Sequence, residues 1–367
     1  MKDLKEILER ISENNASFLG YPLAKDFSYQ EFAPFLDLCL NNVGDPESPS
    51  TLTIDTKEIE RKCISFFANM LSTTMDEVWG YVTNGGTEGN LYGLYLAREN
   101  FPNAIVYYSE STHYSVKKNL HLLNINSIVV RSQDNGEMDY NDLDQILMNR
   151  RDKPAIFFLN IGTTMTEAVD DLDKIKQIIS KYAIKNYYIH CDAAFLGCVA
   201  PFADPKPKFD FSEGVDSISI SAHKFIGGPI PSGMVFAKRQ HRNRIANSIS
   251  YVGTLDTTIT GSRNGLTPLF IWSFIEKHGI EGIRMRVKKS QGIASYVEKK
   301  LNEIGYNAWR NNNALTVVFN KPSEEICQKH QLASERNIAH IICVPGIEKE
   351  HVDVLINDLI NESVLVY

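Results

Sequence analysis

The feature that most constrains the fold is a repeated alternation of short apolar runs and helical segments between Lys57 and about Arg239. The apolar runs are rich in β-branched and aromatic residues, which is typical of buried strands. Strands that recur with helices between them favour a mostly parallel sheet covered on both faces. The predicted strands are Ala104–Ser109, Ser127–Val130, Ala155–Asn160, Asn186–Asp192, Ser217–Ser221 and Met234–Ala237, with helices that include Thr87–Glu99 and Asp171–Ala183.

The pattern divides the 367-residue chain into an arm (1–50), a large domain (51–265) and a C-terminal part (266–367). The arm begins with an amphipathic helix whose apolar face is formed by Leu4, Ile7, Leu8 and Ile11. The C-terminal part is predicted to be a long connecting helix and a small α/β domain. Its predicted elements are a helix from about Thr267 to Ile304, the strands Ala314–Phe319 and Ile338–Cys343, and a last helix from about Lys349.

Composition narrows the class of protein. The formal net charge of −7 is not that of a nucleic-acid-binding domain, and no apolar stretch is long enough for a membrane span or resembles a signal peptide. The six cysteines are scattered and lack zinc-site spacing, which indicates reduced thiols. We therefore expect a cytoplasmic protein that binds neither nucleic acid, membrane nor metal.

Two residues indicate a chemistry at the ends of the predicted strands. Asp192 ends one strand, and Lys224 follows another; ligands of open α/β sheets bind at this edge. A lysine amine can form a Schiff base with pyridoxal phosphate, whose pyridine nitrogen an aspartate can keep protonated. A carboxylate ending a buried strand is costly without a partner, which favours this interpretation over a helix cap. The small Ala194 leaves room for the cofactor ring.

A glycine-rich segment, Asn84-Gly85-Gly86-Thr87-Glu88-Gly89-Asn90, opens a predicted helix. Glycines allow close approach of an anion, and the N–H groups of a helix N-terminus point towards it. We interpret Gly86 and Thr87 as the main phosphate contacts, with Ser221 and His223 as further contacts. Taken alone, the segment is better explained as an ordinary turn capped by Thr87, and the presence of Lys224 and Asp192 favours the phosphate interpretation.

Three further residues follow predicted strands or loops. His113 could stack on the pyridine ring, although a histidine in a surface loop would look the same. Thr163 could hydrogen-bond the cofactor, although Gly-Thr sequences also serve ordinary turns. Ser262, in Gly261-Ser262-Arg263-Asn264-Gly265, could reach a phosphate or a substrate carboxylate, or simply lie in a loop before the connecting helix.

Together these segments resemble the pyridoxal-phosphate-dependent group II amino-acid decarboxylases over nearly the whole chain. The likeness is strongest to the short bacterial histidine decarboxylases and to the plant serine decarboxylases. The segments that carry it are Val82–Asn90, His190–Ala194, Ser221–Lys224 and Thr260–Gly265, supported by Gly20-Tyr21-Pro22, Tyr107–Ser109, Thr112–Ser115, Asn307–Arg310 and Ala339-His340.

The resemblance implies a type I pyridoxal-phosphate fold, like that of aspartate aminotransferase, and a homodimer with active sites at the subunit interface; a tetramer is an alternative. It implies Lys224 as the Schiff-base lysine, Asp192 at the pyridinium and His113 stacked on the ring. It places Gly86, Thr87, Ser221 and His223 around the phosphate, and Ser262 would come from the neighbouring subunit. The N-terminal arm would wrap the partner.

The expected reaction is decarboxylation of an L-amino acid, with L-histidine giving histamine as the main hypothesis. Alternatives are serine or another amino acid as substrate, an aminotransferase or lyase, and a non-catalytic binding protein. Tyr251 or His113 is the expected proton donor, and Tyr21, Tyr81 and His113 are expected to contact the substrate. The run Tyr251–Asp256 is less polar than that family pattern, which predicts a reshaped substrate pocket.

Overall fold

The computed structural model describes residues 2–250 and 253–365. They form two compact units along the chain. The larger unit contains residues 27–164 and 168–284, and the smaller unit contains the described residues up to 26, residues 165–167 and residues from 285 onwards. These units divide the chain at other positions than the predicted boundaries at residues 50 and 265, which stay predictions.

A seven-stranded mixed sheet forms the centre of the larger unit, with strand order β1-β7-β6-β5-β4-β2-β3. β7 pairs antiparallel with β1 and β6, and the remaining pairs are parallel. This confirms the predicted α/β class with a mostly parallel sheet. The strands are β1 (Val78–Thr83), β2 (Ile105–Ser109), β3 (Ser127–Val130), β4 (Ala155–Asn160), β5 (Tyr187–Asp192), β6 (Ser217–Ser221) and β7 (Gly233–Lys238).

The sequences of the central strands explain where they lie. β4 is buried along its whole length, as expected for a strand covered on both faces. β6 is also fully buried, yet it alternates serine with isoleucine, which places Ser217, Ser219 and Ser221 on one face. A buried row of serines requires polar or very small neighbours, and the helix that follows β1 provides them.

Helices cover the sheet. α3 begins within the glycine-rich segment, at Gly86, and α5 and α6 are capped by Asp139 and Asp171, whose side chains accept hydrogen bonds from the first-turn N–H groups. The helices of the larger unit are α2 (Lys57–Met70), α3 (Gly86–Asn100), α4 (Ser115–Leu123), α5 (Tyr140–Met148), α6 (Leu172–Lys181) and α7 (Arg239–Asn243). Two short strands, β8 (Asn247–Ile249) and β9 (Thr254–Asp256), pair antiparallel.

Helix α8 (Thr267–Glu303) begins in the larger unit and is interrupted at Gly279, whose φ of 54° is not helical. The smaller unit contains an antiparallel sheet of order β10-β12-β11. Among the residues described, no helix is long and apolar enough to cross a membrane. The remaining elements are α1 (Lys2–Ser17), β10 (Thr316–Asn320), α9 (Glu324–Lys329), β11 (Ala333–Glu335), β12 (Ile338–Ile342) and α10 (Lys349–Leu365).

Candidate active site at the carboxyl edge of the sheet

The carboxyl ends of neighbouring strands gather polar side chains in the larger unit. β2, β4, β5 and β6 are mutually parallel, so their carboxyl ends share one edge of the sheet. β1 joins the same edge, because it is antiparallel to β7, which is itself antiparallel to β6. Asp192 ends β5, Lys224 follows β6 and His113 follows β2. The topology therefore brings together the three residues on which the sequence argument depends.

Asp192 is almost fully buried, and each of its carboxylate oxygens accepts one hydrogen bond from a neutral donor. Asn90 Nδ2 donates to Oδ2 at 2.7 Å, and the backbone N–H of Ala194 donates to Oδ1 at 3.0 Å. A buried carboxylate with two neutral donors retains acceptor capacity and charge that favour a cationic partner. A protonated pyridine nitrogen is such a partner, so this environment fits a pyridoxal cofactor.

Lys224 lies in a short π-helical turn, His223–Gly227, directly after β6. Burial lowers the pKa of its amine, and the negative charge of Asp192 opposes that shift in part. Within residues 2–250 and 253–365, no acceptor forms a hydrogen bond with this amine. A buried amine with a lowered pKa is neutral more often, and the neutral form is the one that attacks an aldehyde.

His113 lies just before α4 and is half-buried. The backbone N–H of Ser115 donates to His113 Nδ1 at 3.3 Å, and Ser115 Oγ lies 2.8 Å from the same nitrogen. Because Nδ1 accepts, a neutral ring carries its proton on Nε2. Burial lowers the pKa of His113, while the charge of Asp192 raises it and that of Lys224 lowers it. His113 is thus electrostatically coupled to both residues.

The glycine-rich segment is held in place by Glu88. The backbone N–H and the side-chain amide of Asn84 both donate to Glu88 Oε2, at 2.9 and 2.7 Å. Gly85, with φ of 126°, precedes α3, so the N–H groups of Gly86 and Thr87 lie in a first turn that has no internal acceptors for them. These N–H groups could bind a phosphate.

Side chains from β6 lie close to this helix N-terminus. A Cβ atom added to Gly86 would lie 2.7 Å from Ser221 Oγ and 3.2 Å from Ala194 Cβ, and one added to Gly85 would lie 3.6 Å from His223 Cε1. His223 Nδ1 lies 2.7 Å from the carbonyl oxygen of Ser232. The segment, Ser221 and His223 therefore lie close together, with no room for a side chain at Gly86, and these polar groups beside a helix N-terminus fit a phosphate group.

Thr163 is placed differently from the phosphate-side residues. Its hydroxyl accepts a hydrogen bond from the backbone N–H of Ala168 at 3.0 Å, and its own N–H donates to the Ala168 carbonyl at 2.9 Å. These bonds close the loop after β4. A cofactor contact by the Thr163 hydroxyl stays a prediction.

Four other predicted residues are not gathered with Lys224 by the contacts of this chain. Tyr21 belongs to the smaller unit and is 49% exposed. The Tyr81 ring is fully buried and its hydroxyl donates to Glu88 at 2.9 Å, so direct contact with a substrate would require this core to open. Ser262 Oγ accepts from Asn41 Nδ2 at 3.1 Å. Tyr251 lies outside the described residues.

Several residues that support the site were not predicted as site residues from the sequence. Asn90 and His190 were recognised only as parts of motifs, although Asn90 binds Asp192 directly. Asn160 was recognised as a strand end, and its backbone N–H and side-chain amide both donate to the buried Asp170, at 2.7 and 2.9 Å. The spacing of His190 and Asp192, two apart on one strand, was the available signal, because it puts both on one face.

The described part of the chain contains no group of three or more His, Cys, Asp or Glu residues that could hold a metal ion. The polar groups around Lys224, Asp192 and the start of α3 fit a cofactor that carries an aldehyde and a phosphate. The conserved domain of the pyridoxal-dependent decarboxylases matches residues 51–320, which is most of the chain. The chain belongs to this family.

Individual relatives agree with the family assignment. A histidine decarboxylase of Mesorhizobium japonicum is 46% identical over 99% of this chain and 98% of its own length. A histidine decarboxylase of Morganella morganii is 43% identical over 93% of this chain and 91% of its own length. The crystal structure of L-methionine decarboxylase from Streptomyces sp.590 is 24% identical, covers 98% of this chain and 94% of that one, and has a TM-score of 0.91, which shows the shared fold.

Proposed function

We propose that this chain decarboxylates L-histidine to histamine and carbon dioxide with pyridoxal phosphate. The observation that carries the substrate assignment is the near-full-length similarity to proteins named histidine decarboxylase, at 43–46% identity. The constellation around Lys224 supports the chemistry, because it fits the cofactor on which the family depends. When bound, pyridoxal phosphate supplies an electron-accepting ring next to the substrate Cα.

The residues at the carboxyl edge of the sheet have separate roles in binding the cofactor and in the reaction. Lys224 attaches the cofactor, since burial leaves its amine neutral more often. Asp192 would face the ring nitrogen and keep it protonated, and the pair of donors from Asn90 and Ala194 keeps its carboxylate in place. His113 would contact the ring and, with its proton on Nε2, could donate that proton.

The phosphate is assigned to the start of α3 and the end of β6. The N–H groups of Gly86 and Thr87 would donate to the phosphate oxygens, and Ser221 and His223 would contribute side-chain contacts. Thr163 is assigned to the cofactor ring side. Tyr21 and His113 are assigned to the substrate, Tyr81 would reach it only if the buried core around Glu88 opened, and Tyr251 is the alternative proton donor to His113.

The active form is proposed to be a cytoplasmic homodimer in which Ser262 of each chain serves the site of the partner subunit. Helix α1 supports an interface, because its apolar face is open to solvent: Leu4, Ile7, Leu8 and Ile11 are 66%, 42%, 65% and 53% exposed. Apolar surface of this kind is typical of protein–protein contacts. Sedimentation at twice the 41.5 kDa chain mass would support the dimer, and sedimentation as a monomer would contradict it.

The test of the function is an amine-product assay on purified protein loaded with pyridoxal phosphate. L-histidine and L-serine are supplied separately, and histamine, ethanolamine and carbon dioxide are measured. We expect histamine with stoichiometric carbon dioxide from histidine and no product from serine. Ethanolamine alone, or no amine from either substrate, would overturn the histidine assignment.

Substitution of the lysine tests the chemistry independently of the substrate. We expect Lys224→Ala to lose histamine formation completely and to lose the visible absorbance of the covalently bound cofactor. Lys299→Ala is the control, because Lys299 is largely exposed in the smaller unit and should leave both signals unchanged. Steady-state turnover by Lys224→Ala would contradict the assignment of Lys224.

A further inference from the structure

A continuous row of hydrogen bonds leads from the core of the larger unit to Asp192. Ser217 Oγ lies 2.7 Å from His190 Nδ1, His190 Nε2 lies 3.0 Å from Asn90 Oδ1, and Asn90 Nδ2 lies 2.7 Å from Asp192 Oδ2. All four side chains are buried, and Ser217 and His190 have no exposed surface. Three separate elements contribute to the row: β6, β5 and α3.

The direction of every bond in the row follows from the carboxylate at its end. An ionised Asp192 only accepts, so the Asn90 amide must turn its NH₂ group towards it and its oxygen towards His190. His190 Nε2 must then carry a proton. Burial lowers the pKa of His190 to about 3, so the ring is neutral and its Nδ1 accepts from the Ser217 hydroxyl.

Packing holds the imidazole of His190 in this orientation. A Cβ atom at Gly93 of α3 would lie 2.2 Å from His190 Nδ1, so the helix backbone lies directly against the ring. The ring of Phe158 lies on another side, with centroids 5.1 Å apart. With the ring fixed, the Asn90 amide has only one orientation that satisfies both of its neighbours.

We propose that Asn90 and His190 are positioning residues for the ring nitrogen of the cofactor. His190 holds the Asn90 amide in place, and the amide donates to Asp192 and fixes the orientation of its carboxylate. An ionised, immobile carboxylate in turn favours a protonated ring nitrogen. This inference rests on the proposed function of the site, because it concerns pyridoxal phosphate bound beside Asp192.

A purely structural row of polar groups would have a different consequence. Leucine at position 190 would remove the N–H that holds Asn90 Oδ1, so the Asn90 amide could rotate away from Asp192, whereas glutamine can still place an N–H near the position of Nε2. A structural effect would weaken every ligand of the site alike. A positioning effect depends on whether the ligand has a ring nitrogen.

The experiment compares two ligands on the full-length chain freed of cofactor: pyridoxal phosphate and 1-deazapyridoxal phosphate, which has carbon in place of the ring nitrogen. The dissociation constants are measured for the wild type, His190→Leu, His190→Gln and Asn90→Ala. We expect the wild type to prefer pyridoxal phosphate, and His190→Leu and Asn90→Ala to reduce that preference about tenfold, as for loss of one hydrogen bond to a charged group. His190→Gln should restore most of it.

Ser217→Ala is a second test of the positioning role. It removes only a hydroxyl, so the variant should fold even if His190→Leu does not. It should lower the preference in the same direction and by a smaller factor. The ¹⁵N chemical shift of ring-labelled pyridoxal phosphate should move towards the unprotonated value in each impaired variant.

Equal weakening of both ligands, with the wild-type preference retained in every variant, would overturn the positioning role while leaving the proposed function intact. Failure of the wild-type chain to bind pyridoxal phosphate would overturn the cofactor site itself. The two failures are therefore distinguished by the wild-type measurement.

Discussion

At the scale of the residue, the charge of Arg263 is neutralised by a buried carboxylate. Arg263 belongs to the Gly261–Gly265 segment, is 4% exposed, and forms an ion pair with Glu60 through its guanidinium. Glu60 also accepts from the Val82 backbone at 2.8 Å and from Asn42 Nδ2 at 3.0 Å. The pair joins α2, β1 and the loop that carries Ser262.

Removal of one partner from this pair should be costly. We expect Arg263→Met to lower the free energy of unfolding by about 3–5 kcal/mol, because Glu60 would remain as a buried charge without its cation. Urea unfolding measures the change. Lys299→Met is the matched control, because it breaks an exposed ion pair with Glu303 and should change stability by less than about 0.5 kcal/mol. Equal effects of the two substitutions would contradict this account of the buried pair.

At the scale of the element, helix α3 approaches the sheet through a face of glycines. Cβ atoms at Gly86, Gly89 and Gly93 would lie 2.7, 2.2 and 2.2 Å from Ser221 Oγ, Ser219 Oγ and His190 Nδ1, respectively. The absence of side chains at these positions lets the polar face of β6 and β5 remain buried directly beneath the helix. The same close approach brings Asn90 to Asp192.

An alanine at Gly89 tests this packing. We expect Gly89→Ala to lower the free energy of unfolding by about 1–3 kcal/mol, because its methyl group overlaps Ser219 in a packed interface. Gly292→Ala in α8 is the control: nothing lies within 4 Å of its Cβ, so the better helix propensity should leave stability unchanged or raise it by up to about 1 kcal/mol. A stabilising effect at Gly89 would show that the helix can move away from the sheet.

Three strands, β3, β4 and β6, begin and end at the predicted residues. β4 and β6 are buried along their whole length, whereas β3 is a largely exposed edge strand whose short apolar run between helices still marks its ends. β1 was not among the predicted strands, since its pairing with β7 depends on residues far away in the sequence. The three-residue strands β8, β9 and β11 have no periodicity to detect.

In the candidate site, too, the sequence predicted the features that depend on neighbouring residues and did not predict those that depend on contacts between distant segments. Strand-end positions placed Asp192, Lys224 and His113 at one edge of the sheet before any contact was known. The bond between Asn90 and His190 could not be foreseen, because it depends on how closely α3 approaches β5. That distance is set by glycine contacts across the helix–sheet interface, which a single sequence does not display.

At the scale of the whole molecule, histidine burial makes stability sensitive to acid. Burial is the largest cause of a lowered pKa for five of the nine histidines: His113, His190, His223, His330 and His340. A histidine whose folded-state pKa lies below its unfolded value binds fewer protons in the folded state. Its contribution to stability is complete above the unfolded pKa and is lost as the pH falls below it.

His190 allows this to be measured for one group. Its pKa falls from 6.5 to about 3 on folding, so between these values the wild type should lose about 1.4 kcal/mol of stability per pH unit through this residue. Glutamine at position 190 cannot titrate. As the pH is lowered, the free energy of unfolding of His190→Gln should therefore fall by about 1.4 kcal/mol less per pH unit than that of the wild type. Urea unfolding of both proteins across this pH window gives the two slopes, and the other four histidines contribute equally to each. Parallel slopes would mean that His190 is protonated in the folded protein, which would also remove the acceptor that Ser217 requires.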